Sequence, residues 1–251
     1  MDNLAKLEQF FKVNPTVALG FSGGVDSSYL LYAGIKYGAK IKAYYVKTPF
    51  QPQFELDDAY KIAEQVGADM TVLELDVLSN ERVVSNPPDR CYYCKQTIFG
   101  ALQKQALADG FTLMIDGTNA SDDSDDRPGM RALTELSVRS PLRECGISKA
   151  EIRSLSKEAG LFTWDKPAYA CLATRIPSER SITGDLLRRI EKSEDALFSL
   201  GFSDFRVRIY DEAARLQFAQ GQMSEAVNKK ADIIRAIKPY FKIILLDLES
   251  R

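Results

Sequence analysis

The chain has 251 residues, 45% hydrophobic and 27% charged, which allows one large core or a large domain carrying a small second one; its net charge of −2 supplies no global positive field to hold a polyanion. No stretch approaches the ~18–20 apolar residues of a membrane span, and MDNLAKLEQF is an amphipathic start without the regions of a signal peptide, so no membrane contact and a cytoplasmic location are expected. Histidine is absent, which removes the commonest general base and zinc ligand together and leaves Cys91, Cys94, Cys145 and Cys171 as the soft ligands and nucleophiles.

Thr16 to Phe21 is an apolar run of strand length, followed at once by Ser22-Gly23-Gly24-Val25-Asp26-Ser27-Ser28 and then by a helical pattern from Tyr29 to Tyr37. Two glycines between a strand and a helix let the backbone close around phosphate oxygens, and the helix start offers unpaired N–H groups to negative charge. A plain tight turn is the bland alternative. No G-x-x-x-x-G-K-[ST] is present, so this is not the lysine-bearing P-loop. Ile41 to Val46 reads as a strand, Leu56 to Val66 as a helix ending near Gly67, and Thr71 to Leu75 as a strand. Cys91-x-x-Cys94 has a spacing used for metal, cluster or redox work, and in a reducing compartment the cysteines are not expected to form disulfides. Lys95 to Ala108 reads as a helix, and Phe111 to Ile115 as a buried strand ending at Asp116-Gly117. Such alternation predicts an α/β fold, a mostly parallel sheet with helices on both faces that takes its ligands at the carboxyl ends of the strands.

Thr118 to Gly129 is rich in turn formers and carboxylates and reads as an ordered loop beside those strand ends. Ser148 to Ala159 is a helix with a capping box, Ser148 at the cap and Glu151 three residues on, closed by Gly160. Trp164 to Pro177 has little periodicity; within it Cys171 lies between Lys166-Pro167 and Arg175, where positive charge favours a thiolate. Cys145 has no motif context and is assigned to structure. Past Pro177 the rhythm becomes helix (Thr183 to Leu200), strand (Phe205 to Tyr210), strand (Ala214 to Phe218), helix (Ser224 to Ile237) and strand (Phe241 to Leu248), a small α+β domain with 13 basic and 12 acidic residues over 177–251. The expected division is therefore 1–176 and 177–251. Arg206 and Arg208 alternate on a strand and share a face, as a two-pronged phosphate site requires, with a solvated, salt-bridged strand face as the alternative.

Ser-Gly-Gly-Val-Asp-Ser after an apolar strand resembles the PP-loop of ATP pyrophosphatases, which cleave ATP between the α and β phosphates. Arg90-Cys91-Tyr92-Tyr93-Cys94-Lys95, Asp116-Gly117-Thr118-Asn119, Asp125-Asp126-Arg127-Pro128-Gly129, Ala170-Cys171-Leu172-Ala173-Thr174-Arg175 and Phe205-Arg206-Val207-Arg208, in that order, are together similar to the LarE family of sulfur-inserting enzymes. The resemblance implies a Rossmann-like fold of the adenine nucleotide alpha hydrolase type. It implies ATP held with Mg²⁺ by Ser22, Gly23, Gly24, Asp26, Ser27 and Gly117, adenylation of a carboxylate of pyridinium-3,5-biscarboxylic acid mononucleotide, and replacement of oxygen by sulfur. Arg206, Arg208, Arg175, Asp122 and Arg127 would hold the substrate, and Asp26 and Glu194 would serve Mg²⁺. Cys91, Cys94 and Cys171 resemble three cysteines that hold a [4Fe-4S] cluster with one iron open for hydrosulfide. In other members a lone cysteine gives up its own sulfur, so sacrificial transfer from Cys171 stays open, as does a PP-loop tRNA thiolase. Nucleic acid fits the acidic composition poorly, family resemblance implies a homo-oligomer, and the sulfur donor is not identified.

Overall fold

A computed structural model describes residues 2–122 and 128–250. In chain order its elements are α1 (Asn3–Val13), β1 (Thr16–Phe21), α2 (Val25–Lys36), β2 (Lys40–Lys47), α3 (Gln53–Val66), β3 (Asp69–Glu74), α4 (Glu81–Val84), α5 (Arg90–Ala108), β4 (Met114–Asp116), α6 (Pro128–Glu135), α7 (Pro141–Glu144), α8 (Lys149–Glu158), α9 (Gly184–Ser199), β5 (Phe205–Tyr210), β6 (Ala213–Phe218), α10 (Met223–Asn228), α11 (Lys230–Ile237) and β7 (Ile243–Leu246). The chain divides into two compact units, one holding the chain up to Val77 with Asp89–Ala168, the other Leu78–Pro88 with the chain from Tyr169 onward. Among the described residues no helix is long and apolar enough to cross a membrane.

The first unit is α/β. Its four strands are all parallel, in the order β3-β2-β1-β4, with Leu19 opposite both Ala43 and Ile115. Both faces are covered, which is why β1 reads as a continuous apolar run rather than an alternating one. Val17, Leu19 and Phe21 pack with Leu7 and Phe11 of α1, Leu30 and Leu31 of α2, Ile62 of α3 and Ile152 of α8. Ala18 with Tyr44 and Val46 lies in the opposite core, beneath Leu102 and Ala106 of α5 and Leu133 of α6.

Strand β4 is shorter than the apolar run from Phe111 suggests. Gly110 turns left-handed (φ 86°) and the Phe111 N–H closes back onto the Ala106 carbonyl, so Phe111 finishes α5 and the strand runs over Met114–Asp116. Helix α5 begins five residues ahead of the expected Lys95, which places Cys91 and Cys94 inside its first turns.

The second unit is α+β. β5 and β6 form an antiparallel hairpin, β7 joins β6 in parallel, and the ring pairs Phe198–Phe205 and Phe202–Phe218, each 4.7 Å between centroids, tie α9 and its exit to the sheet. The helix expected over Ser224 to Ile237 is two helices, because Lys229 leaves helical geometry (φ −88°, ψ 15°) while its ammonium caps the Leu200 carbonyl at 2.8 Å. Leu78–Pro88 belongs with this unit through Asn86, whose buried amide donates to the carbonyls of Pro177 (2.7 Å) and Arg180 (3.2 Å), and through the Ile182 N–H on the Val84 carbonyl. The expected boundary at 176/177 places Leu78–Pro88 and Tyr169–Ile176 in the larger domain, whereas both group with the second unit.

Candidate active site

At the carboxyl end of β1 the chain turns through Ser22-Gly23-Gly24 into α2. Gly23 takes φ +70°, which favours glycine, and a Cβ there would stand 3.2 Å from Ala59, a tight contact that adds to the strain. Gly24 is the N-cap of α2 and supplies no side-chain cap, which leaves the first N–H groups of the helix available to an anion. The hydroxyls of Ser22 and Ser27 lie 3.1 Å apart, and Ser22 Oγ accepts the Gly24 N–H at 3.3 Å. Gly117, just after β4, packs so closely on the first turn of α2 that a Cβ there would stand 2.9 Å from the Ser27 nitrogen.

Asp26 sits in that first turn. Lys149 Nζ donates to its Oδ2 at 2.6 Å, while Oδ1 is buried with no hydrogen-bond partner among the described residues. Burial raises the Asp26 pKa, against the opposing pull of Lys149. A buried carboxylate oxygen without a donor beside an uncapped helix N-terminus fits Mg²⁺, which takes one or two carboxylates and completes its shell with phosphate oxygens and water.

Asp116 is buried and committed at both oxygens: Oδ1 accepts from Ser140 Oγ (2.7 Å) and the Thr118 N–H, and Oδ2 accepts from Thr118 Oγ1 (2.6 Å). Asp122 Oδ2 accepts the Asn119 N–H at 2.9 Å, a local turn that holds this half-buried carboxylate. Asp125 and Arg127 lie outside the described residues.

Cys91 and Cys94 stand three residues apart on α5 and so share one side of it. Cys91 is exposed and Cys94 half-buried, and the Arg90 guanidinium reaches the Cys91 sulfur at 3.8 Å. Lys95 is largely desolvated, which lowers its pKa against the pull of Asp116, Cys91, Asp122 and Cys94. Cys145 is buried, 5% exposed, in the core of the first unit, and desolvation raises its thiol pKa. Three of the four cysteines are thus accessible, and these are the three expected to ligate; yet among the described residues no group of three or more His, Cys, Asp or Glu side chains is assembled to hold a metal ion. Cys91 and Cys94 belong to the first unit and Cys171 to the second.

In the second unit Cys171, half-buried, caps a 3-10 turn over Leu172–Arg175, with its carbonyl accepting the Thr174 N–H and hydroxyl. Arg175 is 1% exposed and makes a two-pronged bond to Glu194, Nε to Oε1 at 2.8 Å and Nη2 to Oε2 at 3.1 Å. Burial works to lower the Arg175 pKa, but the Glu194 hydrogen bond and charge outweigh it. Glu194 also accepts the Val207 N–H at 2.9 Å and the Tyr169 hydroxyl. The resemblance offered this carboxylate to Mg²⁺; the structure gives both its oxygens to protein donors.

The Tyr169 ring lies against two guanidiniums, Arg175 at 4.6 Å and Arg206 at 5.0 Å. Arg206 is 5% exposed, and burial together with the neighbouring Arg175 charge pulls its pKa down to about 10. Arg208, whose pKa is lowered by burial and by Arg175 and Arg215, donates to the Thr174 carbonyl at 2.8 Å and to Gln217. Arg206 and Arg208 do share a strand face, on which Arg206 is buried and Arg208 half-buried, and Glu194 is committed to Arg175. Such a cluster favours an oxyanion. The residues the sequence did not single out include Lys149 and Tyr169, which meet Asp26 and Glu194 through contacts 123 and 25 positions apart that no local spacing announces.

No family model matches the chain. It is 36% identical, over 98% of its length and 94% of the relative's, to an uncharacterized protein of Synechocystis sp. strain PCC 6803. It is 30% identical, over 92% of its length and 85% of the relative's, to the pyridinium-3,5-bisthiocarboxylic acid mononucleotide synthase of Lactiplantibacillus plantarum. The tRNA-specific 2-thiouridylase MnmA of Thermotoga petrophila is 25% identical over 58% of this chain and 52% of its own.

Proposed function

Because the chain belongs to the family of pyridinium-3,5-bisthiocarboxylic acid mononucleotide synthases, we propose that it is an ATP-dependent sulfur insertase that converts a carboxylate of a pyridinium mononucleotide to a thiocarboxylate. The observation that carries this reading is the 30% identity spread over 92% of the chain, which spans both compact units.

On this reading Ser22, Gly23, Gly24 and Ser27, with the open N-terminus of α2 and the close approach at Gly117, cradle the phosphates of ATP, and Asp26 holds Mg²⁺. The substrate carboxylate oxygen attacks the α-phosphorus, the bond to the β-phosphate oxygen breaks, and pyrophosphate leaves an acyl-adenylate. No general base is needed for a carboxylate that is already ionised, which suits a chain without histidine. Arg175, Arg206 and Arg208 anchor the mononucleotide phosphate on the second unit, and Asp122 and Arg127 contribute to substrate binding. Sulfur then displaces AMP. Cys91, Cys94 and Cys171 would hold a [4Fe-4S] cluster, whose chemistry would be to carry sulfur from outside the polypeptide and so allow repeated turnover. The alternative is transfer of the Cys171 sulfur itself.

The test is iron and acid-labile sulfide content of protein purified and reconstituted without oxygen, beside Cys91→Ala and Cys171→Ala variants. About four irons per chain, lost in both variants, with pyrophosphate release retained, supports the cluster. No iron, and Cys171 lighter by about 34 Da after reaction with ATP and substrate, as loss of H₂S requires, supports sacrifice instead. Sulfur transfer that survives Cys171→Ala removes that residue from the mechanism.

A further inference from the structure

Cys171 lies on the chain between two residues that each reach two arginines. Ahead of it the Tyr169 ring rests against Arg175 and Arg206. After it comes Thr174, whose hydroxyl accepts from Arg175 Nη1 at 3.0 Å and whose carbonyl accepts from Arg208 Nη1 at 2.8 Å. The same hydroxyl donates to the Cys171 carbonyl at 2.8 Å, and the Thr174 N–H reaches that carbonyl at 3.0 Å. Arg175 Nη1 also holds the Ala170 carbonyl at 2.9 Å. All of these residues belong to the second unit.

A 3-10 turn four residues long has few bonds of its own, and poorly aligned ones, so side-chain donors decide how firmly it is held. Leu172 and Ala173 anchor it in the core, both 0% exposed, whereas Cys171 and Thr174 are half-buried. Thr174 engages its backbone N–H, its carbonyl and its hydroxyl at once, and β-branching keeps that hydroxyl in few rotamers.

The two arginines differ in what they have left to offer a ligand. Arg175 engages four of its five N–H groups, two on Glu194 and one each on Ala170 and Thr174, so it meets a phosphate mainly through its charge. Arg208 engages Nε with Gln217 and Nη1 with Thr174, and its Nη2 has no partner among the described residues. That nitrogen is available to an oxyanion. Because the guanidinium is one rigid plane, an anion that fixes Nη2 also fixes the donor on Thr174.

We propose that Thr174 is a positioning residue for Cys171, tying the turn that carries the thiol to Arg208 so that a phosphate held there steadies Cys171. This role rests on the reading of Arg206 and Arg208 as the phosphate anchor and goes beyond it. It couples substrate binding to the placement of the sulfur-handling residue, whether the thiol ligates a cluster or gives up its own sulfur. A half-buried thiol reacts with a small reagent through local opening of its segment, so a steadied turn reacts more slowly.

The experiment is iodoacetamide alkylation of the chelator-treated full chain, followed residue by residue by peptide mass spectrometry, with and without inorganic phosphate, for the native chain, Thr174→Val and Thr174→Ser. Valine keeps the shape and removes the hydroxyl; serine restores it. In the native chain phosphate should raise Tm and slow Cys171 alkylation about fivefold, the lower end of ordinary coupling between sites. Exposed Cys91 should react at one rate throughout, and buried Cys145 should stay unreacted as long as the chain is folded. Thr174→Val should still gain Tm from phosphate yet lose the slowing, and Thr174→Ser should regain it. Phosphate that merely shields the thiol would slow the valine variant as well, and that result overturns the proposal, as does a serine variant that behaves like valine. Phosphate that raises the native Tm and leaves Cys171 alkylation unchanged overturns it too while sparing the anchor; a native chain indifferent to phosphate in both readouts removes the anchor along with it.

Discussion

Asp26 concentrates the physics of the proposed nucleotide site in one carboxylate. Burial raises its pKa above that of the unfolded chain in spite of Lys149. A carboxylate shifted in that direction loses native stability as pH rises from its unfolded value through its folded one, so at neutral pH the ionised group destabilises the fold. Asp26→Asn should therefore hold or raise Tm while lowering ATP- and Mg²⁺-dependent pyrophosphate release on the order of 10²-fold, the effect of losing one preorganised electrostatic group; a variant that loses Tm and keeps pyrophosphate release would contradict this. Glu194 behaves in the opposite way. Its neutral isostere leaves the buried Arg175 guanidinium without a counter-charge, and Glu194→Gln should cost about 3–5 kcal/mol in denaturant unfolding. The glycine loop was legible in the sequence because its residues are contiguous and sit between a strand and a helix. Lys149 was not, since it reaches Asp26 across 123 positions, and Glu194 could be recognised as acidic but not as the acceptor of Arg175, Tyr169 and the Val207 N–H.

Elements hold the site by their ends. The capping box of α8 was readable from Ser148 and Glu151 alone, and both of its bonds are formed. Lys149 is the first residue of that helix, so Ser148→Ala should cost about 1 kcal/mol of stability and also loosen the Lys149 contact to Asp26, measured by urea unfolding beside the Mg²⁺ dependence of pyrophosphate release. The start of α5 was harder to read, because Asp89 makes no side-chain cap bond and Arg90-Cys91-Tyr92-Tyr93 carries no capping pattern. Helical periodicity became visible only from Lys95, after the two cysteines. At the end of β4, Gly117→Ala should raise the ATP concentration needed for half-maximal pyrophosphate release about tenfold, since its Cβ must displace the first turn of α2; unchanged ATP dependence would show that this close approach does not shape the phosphate site.

At the scale of the whole molecule, the division into units was only partly readable, because Leu78–Pro88 is tied to residues ninety positions later by the Asn86 amide, a long-range contact without a periodic signature. Charge, by contrast, is a property of the whole sequence and discriminates between the two kinds of relative. Binding a polynucleotide releases counterions from many phosphates at once and requires an extended basic surface, with affinity falling steeply as salt rises. This chain has 33 basic and 35 acidic residues, and residues 177–251 balance at +1. Its buried arginines, Arg175 and Arg206, are set inside the second unit, where they suit one phosphate group rather than a backbone track. Total tRNA should therefore not be retained at about 150 mM salt, where counterion release no longer favours a near-neutral surface. Inorganic phosphate should instead raise Tm at neutral pH, lose that effect as pH climbs past the Arg206 value of about 10, and fail to stabilise Arg206→Ala. Salt-sensitive retention of tRNA, together with indifference to phosphate, would move the chain toward the thiouridylase side of its relatives and end the mononucleotide reading.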